Sequence, residues 1–325
     1  NLWNEYKYGK DEADYKRLKS LRNSKADPRN FGKDLVRFNY ESREDMFDGV
    51  SYNKGGGILH MLRNYLGDDA FFAGLSDYLK TNEYGTGEAH QLRLSLEKVS
   101  GKDLNWFFNQ WYFGKGYPKL EVKSTFDPMK KQVTVNVAQT QEEKFEFPLS
   151  IDVLENGKIS RKEVWVTAKA KNDFVFDVTK NPELINANPE GLLLSDIKQD
   201  KTPEQLFLQY TTAKDLYSKY TAIEEAKDQV SKNPFADKLY AAALKDKFYR
   251  NRLLALEGLP EDPKSFLADV EKLAQNDEKN LVKGAAIGVL AKTKNPKYLP
   301  LFEKGINAIS NSVKGNSLSG IAQVA

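Results

Sequence analysis

A chain of 325 residues is longer than one hydrophobic core usually organises, so two or three domains are expected. Its 49 basic and 46 acidic residues are interspersed, and the resulting net charge of +3 offers neither a basic stripe for nucleic acid nor a strong field for an anionic membrane. There is no cysteine, no run of 18 or more apolar residues that would span a membrane, and only two histidines, His60 and His90, neither of which opens H-E-x-x-H. Disulfides, thiolate chemistry and a self-contained zinc hydrolase are therefore not expected.

Residues 1–117 read as helices, with apolar positions three and four apart. Leu2, Trp3, Tyr6 and Tyr8 sit on a helix with no cap before it, and the polar start Asn1 to Lys10 is no signal peptide. After a polar stretch containing Asp27-Pro28, the pattern predicts helices over 54–66, 68–81, 88–99 and 103–113, punctuated by Gly67, Gly85, Gly87 and Gly101. Asp68, Glu88 and Asp103 near their starts suit the positive ends of the helix dipoles.

At Tyr117-Pro118 the period changes from 3.6 to 2. Leu120 and Val122, then Val133, Val135 and Val137, then Phe145 through Val153 alternate with polar residues, and Asn156-Gly157 is a strong hairpin signal. One buried face per strand predicts a small antiparallel β-sandwich over 118–201. Thr202-Pro203-Glu204 then has the form of a helix start, and 202–325 reads as helical throughout. Val282-Lys283-Gly284 recurs 31 residues later as Val313-Lys314-Gly315, with Ile287, Leu290 and Ala291 matched by Leu318, Ile321 and Ala322 and with Arg252 to Leu259 as an earlier copy. Repeats of that length stack into a HEAT-like α-solenoid. The fold class expected is thus multidomain α+β.

The most specific segment is Ser51-Tyr52-Asn53-Lys54-Gly55-Gly56-Gly57, running on through Met61-Leu62-Arg63 to Leu66-Gly67-Asp68. With Phe107-Phe108-Asn109-Gln110-Trp111 and Gly116-Tyr117-Pro118, it resembles the aminopeptidase N and leukotriene hydrolase family of zinc metallopeptidases. The resemblance implies that 1–117 is the helical C-terminal lobe of a thermolysin-like catalytic domain, followed by the family's sandwich and solenoid. It implies zinc held, in the complete enzyme, by H-E-x-x-H and a later glutamate that family spacing puts shortly before Asn1. No zinc is expected in this chain, and its partners would be the upstream half of the catalytic domain and a peptide substrate. Glu5 lacks the sequence context of that glutamate.

Tyr52 is the catalytic residue that the resemblance carries over: in this family the tyrosine of Tyr-x-Lys-Gly donates a hydrogen bond to the oxyanion formed as water attacks the peptide carbonyl. Such a donor stabilises the transition state more than the substrate. Lys54 reads as a residue that orders the turn, His60 as a packed or surface histidine, and His90 as solvent-exposed. The aromatic run Trp106 to Phe113 reads as helix packing. The function expected is therefore that of the C-terminal part of a zinc aminopeptidase, inactive alone; the second reading is a non-catalytic peptide- or protein-binding module on the same scaffold.

Overall fold

The computed structural model describes residues 2–25 and 32–324, and the turn expected around Asp27-Pro28 lies outside them. The fold is mixed α and β with small sheets, and its contacts divide into two compact units, Asn1–Asp200 and Lys201–Ala325.

In the first unit, α1 (Leu2–Tyr8) and α2 (Lys10–Lys25) precede a π-helical turn, Val50–Lys54. That turn leads directly into α3 (Gly55–Leu66). Then come α4 (Asp68–Thr81), α5 (Ala89–Ser100) and α6 (Asn105–Trp111). Gly67 and Gly101, with φ of 83° and 68°, end α3 and α5 as their positions in the sequence demand. At Glu88 a capping box with Gln91 starts α5. By contrast α1 buries nothing: Trp3 is 63% and Tyr6 85% exposed.

Strands β1 (Lys119–Asp127), β2 (Gln132–Gln139), β3 (Phe147–Glu155), β4 (Lys158–Val166), β5 (Lys171–Asp177), β6 (Leu184–Ala187) and β7 (Asp196–Lys198) form two sheets, in the orders β5-β2-β1-β7 and β4-β3-β6. The β3–β4 hairpin turns at Asn156 and Gly157, both with positive φ as a type I′ turn requires. The pairing is antiparallel except at one edge, where β7 runs parallel to β1, contrary to the all-antiparallel expectation. The cause is the connection after β6: residues 188–195 turn at Asn188 and Gly191, both left-handed, and carry the chain back so that the Asp196 N–H reaches the Pro118 carbonyl at 3.0 Å. Val133, Val135, Val137, Leu149 and Ile151 share one buried cluster with Ile58, Leu62, Leu96 and the α6 aromatics Phe107, Phe108 and Trp111. The aromatic run is thus mostly core, as its spacing predicted.

The second unit is helical: α7 (Pro203–Thr212), α8 (Leu216–Ala226), α9 (Pro234–Ala243), α10 (Tyr249–Gly258), α11 (Leu267–Asn276), α12 (Asn280–Lys292), α13 (Leu299–Gly305) and α14 (Asn311–Val324). Thr202 caps α7 through Gln205, with Pro203 in its first turn. Among the repeat positions, Val282 and Val313 are both buried, but Leu318 is 58% exposed where Ile287 is 2%. The difference follows from neighbours: α12 packs against α10, α11 and α14, whereas α14 packs mainly against α12 and α13.

Candidate functional site

Five elements, α1 to α4 and the π-helical turn, line a cleft of about 420 Å³ in the first unit. Glu5 enters from α1, Arg17 and Ser20 from α2, Tyr52 and Asn53 from the π-helical turn, and His60 and Arg63 from α3. The π turn is what presents Tyr52. The Gly55 N–H reaches back to the Val50 carbonyl, five residues earlier, and this widened turn buries Val50 and Lys54 while leaving Tyr52 63% exposed at the cleft. Single π turns recur at functional sites because they re-aim one side chain without ending the helix.

Both ends of that turn are anchored. On its N-terminal side, the Asp48 carboxylate accepts from the Ser51 N–H at 2.9 Å and pairs with Arg37 at 2.7 Å. Burial alone would raise the Asp48 carboxyl, but these hydrogen bonds and the guanidinium charge together hold it below its usual range. On the C-terminal side, Lys54 is fully buried, and its Nζ donates to the carbonyls of Lys33 at 2.9 Å and Gly114 at 3.4 Å. Burial pushes this amine down to about 8; Asp34 partly opposes the shift and Arg37 adds to it. Lys54 therefore orders the turn from behind and is not among the residues lining the cleft. The glycine after the motif matters for approach: a Cβ on Gly57 would stand 3.0 Å from Leu21 Cδ2, so a larger residue there would require the Leu21 side chain to give way.

Ser20 Oγ donates to Asn53 Oδ1 at 2.7 Å, tying α2 to the residue after Tyr52. The Tyr52 ring lies 6.1 Å from that of Phe47. Among the described residues no group takes the Tyr52 hydroxyl's hydrogen bond, so the hydroxyl is available at the cleft. Arg63 forms bidentate pairs with Glu5, at 2.9 and 3.4 Å, and with Asp68, at 2.7 and 2.8 Å. These bonds raise the guanidinium further above its ordinary value. His60, expected as a packed or surface side chain, lines this wall, with Nε2 3.2 Å from Asn64 Nδ2. Burial, reinforced by Arg17 and Arg63, lowers its imidazole to about 3, so it stands neutral beside the two guanidiniums. His90, by contrast, is exposed and stacks on Phe113 at 4.8 Å.

Among the described residues no three histidine, aspartate or glutamate side chains come together as a metal site. Glu5 is committed to Arg63, and His60 faces Asn64. This donor set does not fit zinc. Arg17 and Ser20 went unmarked in the sequence because α2 carries no apolar stripe to set its register, and Arg63 was marked only as part of the motif segment, without a role. The signal that could have found Arg63 is its position three residues after His60, on the same helix face.

Comparison with known proteins places this geometry. The description "Peptidase family M1 domain" matches residues 13–111, which include the π turn and α2 to α6. Over those residues the chain is similar to M1 family peptidases. It is 42% identical over 77 residues to the Tricorn protease-interacting factor F2 of Thermoplasma volcanium, a match that covers 24% of this chain and 10% of that protein. It is 28% identical over 165 residues to aminopeptidase N of Lactococcus lactis, covering 48% of this chain and 19% of that one. It is 27% identical over 150 residues to the leucyl aminopeptidase of Saccharolobus solfataricus, covering 46% and 18%. These matches span between a tenth and a fifth of those relatives' lengths. A structure of Legionella pneumophila aminopeptidase A in complex with aspartic acid shares the fold at a TM-score of 0.64 and 17% identity, over 99% of this chain and 40% of that one. Among the described residues, no helix is long and apolar enough to cross a membrane.

Proposed function

We propose that this chain is the C-terminal part of a zinc-dependent aminopeptidase that removes N-terminal residues from peptides. In this reading 1–117 is the helical lobe of the thermolysin-like domain, 118–201 the β-sandwich and 202–325 the HEAT-like solenoid. The observation that supports it best is Tyr52. Its phenol is held at the cleft by a π turn pinned at Asp48 and Lys54, and its hydroxyl is available to donate. A peptide carbonyl under attack develops negative charge on oxygen, and a neutral donor fixed at that point lowers the barrier more than it tightens substrate binding. At Gly56 nothing lies within 4 Å of where a Cβ would stand, so this helix face is clear and an extended peptide backbone can come close to the tyrosine.

The zinc ligands are assigned to a segment outside these 325 residues, which contain no H-E-x-x-H, so the chain alone turns over no aminoacyl substrate. The test is Tyr52→Phe in the full-length enzyme, with the 325 residues alone as the zero-turnover baseline. The ring and its packing survive this change. Turnover should fall roughly 100- to 1,000-fold, while the Michaelis constant moves far less. If the phenylalanine variant retains turnover within a few-fold of the parent, Tyr52 is a structural residue.

A further inference from the structure

A second cleft in the first unit, of about 210 Å³, lies away from Tyr52 and shares no lining residue with the first. Its inner wall is aromatic and buried, formed by Phe107, Trp111 and Phe147, while Tyr65 and Trp106 stand partly exposed at its side. Trp106 is held edge-to-face by three rings: Tyr65 at 5.5 Å, Trp165 at 4.9 Å and Phe107 at 5.5 Å. Among the described residues, Glu163 of β4 is the only charged side chain lining the cleft. Its Oε2 accepts from Ser150 Oγ at 2.9 Å, and among the described residues no cation pairs with it.

Nearby charges do not supply the missing cation. Arg161, two residues along the same strand face, is bound bidentately by Asp152 and again by Glu190, so this group of four side chains, with Glu163, keeps a net negative sign. Lys102 donates to the Tyr65 carbonyl and lies 4.3 Å from that ring's centroid, which shows that an aromatic face here already holds an ammonium group.

The geometry points to a binding site for a small organic ammonium ion with an apolar or aromatic body. A neutral apolar guest would strip water from the Glu163 carboxylate without replacing it, and an anion would be repelled by it. A cation with a hydrophobic body meets both demands, with its charge against Glu163 and the Trp106 face and its body on Phe107, Trp111 and Phe147. The cleft is smaller than the roughly 300–1,000 Å³ of drug-sized sites, which fits a single ring bearing an alkylammonium head.

Benzyltrimethylammonium is the probe, titrated into the 325-residue chain while the four tryptophan indole N–H resonances are followed by NMR. The Trp106 and Trp111 signals should shift saturably in the millimolar range while that of Trp3 on α1 stays still. Glu163→Gln should weaken binding about fivefold, and Trp106→Leu roughly three- to tenfold. Glu163 is exposed and Glu163→Gln leaves packing intact, so a fold defect in the tryptophan variant alone does not decide the outcome. Absence of saturable shifts overturns the site. So does equal binding of benzyl alcohol, or of the parent and Glu163→Gln, because the cleft would then be a non-specific apolar slot.

Discussion

Lys54 in the first unit and Arg252 in the second are both cations taken out of water, and they are held by opposite means. Lys54 has two backbone carbonyls and no carboxylate bonded to it. Arg252, 8% exposed, forms a bidentate pair with Asp277 at 2.7 and 2.9 Å, and its remaining nitrogen donates to the carbonyls of Asp246 and Lys247 at 2.8 and 3.1 Å. Asp246 in turn accepts from Tyr210 at 2.6 Å and Lys219 at 3.2 Å. Burial alone would raise Asp246, but these bonds together hold it lowered. The helical unit therefore locks its buried charges into a closed network. The first unit stabilises a lone ammonium with dipoles, which position a turn but leave the charge free to titrate.

The largest effect separating the two should come from removing one partner in the network. Arg252→Met strands the Asp277 carboxylate, which is itself 8% exposed, and should cost about 3–5 kcal/mol in denaturant unfolding. The double variant Arg252→Met with Asp277→Leu should recover most of that, because no charge is then left buried alone. A double-mutant cycle reads the coupling directly. Additive losses in the cycle would mean that the pair contributes packing and little electrostatics.

Much of this architecture was legible in the sequence wherever local pattern and tertiary demand agree. The 68–81 helix, the Asn156-Gly157 hairpin, the alternation through Val133, Val135 and Val137 and the Thr202-Pro203 helix start all rest on short-range chemistry. What failed depended on partners far away in the chain. The parallel β1–β7 edge is set by where the chain returns after residue 188. Tyr52 stood out because of its motif, whereas the π turn that aims it has no signature beyond the glycines that follow.

The two copies of Val-Lys-Gly in the second unit offer a smaller and more local test of context. A Cβ on Gly284 would stand 2.2 Å from Ser312 Oγ and 2.9 Å from the Ser312 carbonyl carbon and oxygen, whereas one on Gly315 meets nothing within 4 Å. Gly284→Ala must push α12 and α14 apart and should cost about 1–3 kcal/mol. Gly315→Ala should stabilise by about 0.5–1 kcal/mol through helix propensity. Thermal midpoints moving in opposite directions would show that identical letters do different jobs; a loss of similar size at both positions would show that α14 is as tightly packed as α12.

The mildest expected effect is on pH dependence, and it bears directly on the contrast between lone and paired charge. Below pH 8 Lys54 is protonated in both folded and unfolded chains, and the folded state carries the full cost of burying it. Between its folded value of about 8 and its ordinary 10.5, the folded amine has released its proton while the unfolded one still holds it. The unfolded state then binds more protons, so stability rises with pH across that window, by at most about 1.4 kcal/mol per pH unit. Burial raises Tyr112 and Tyr117, which reverses the trend once unfolded tyrosine begins to ionise near its ordinary value of 10.0, so the readable range is pH 8 to 10. Lys201, also lowered by burial, acts in the same direction within the second unit, so amide exchange must be read locally on α3. Lys54→Met leaves the Lys33 and Gly114 carbonyls without their donor, a loss of about 1–3 kcal/mol that does not vary with pH. It should therefore lower α3 protection everywhere and abolish its rise between pH 8 and 10. If the rise persists in Lys54→Met, another group titrates there, and Lys54 serves the turn as a clamp whose charge never changes.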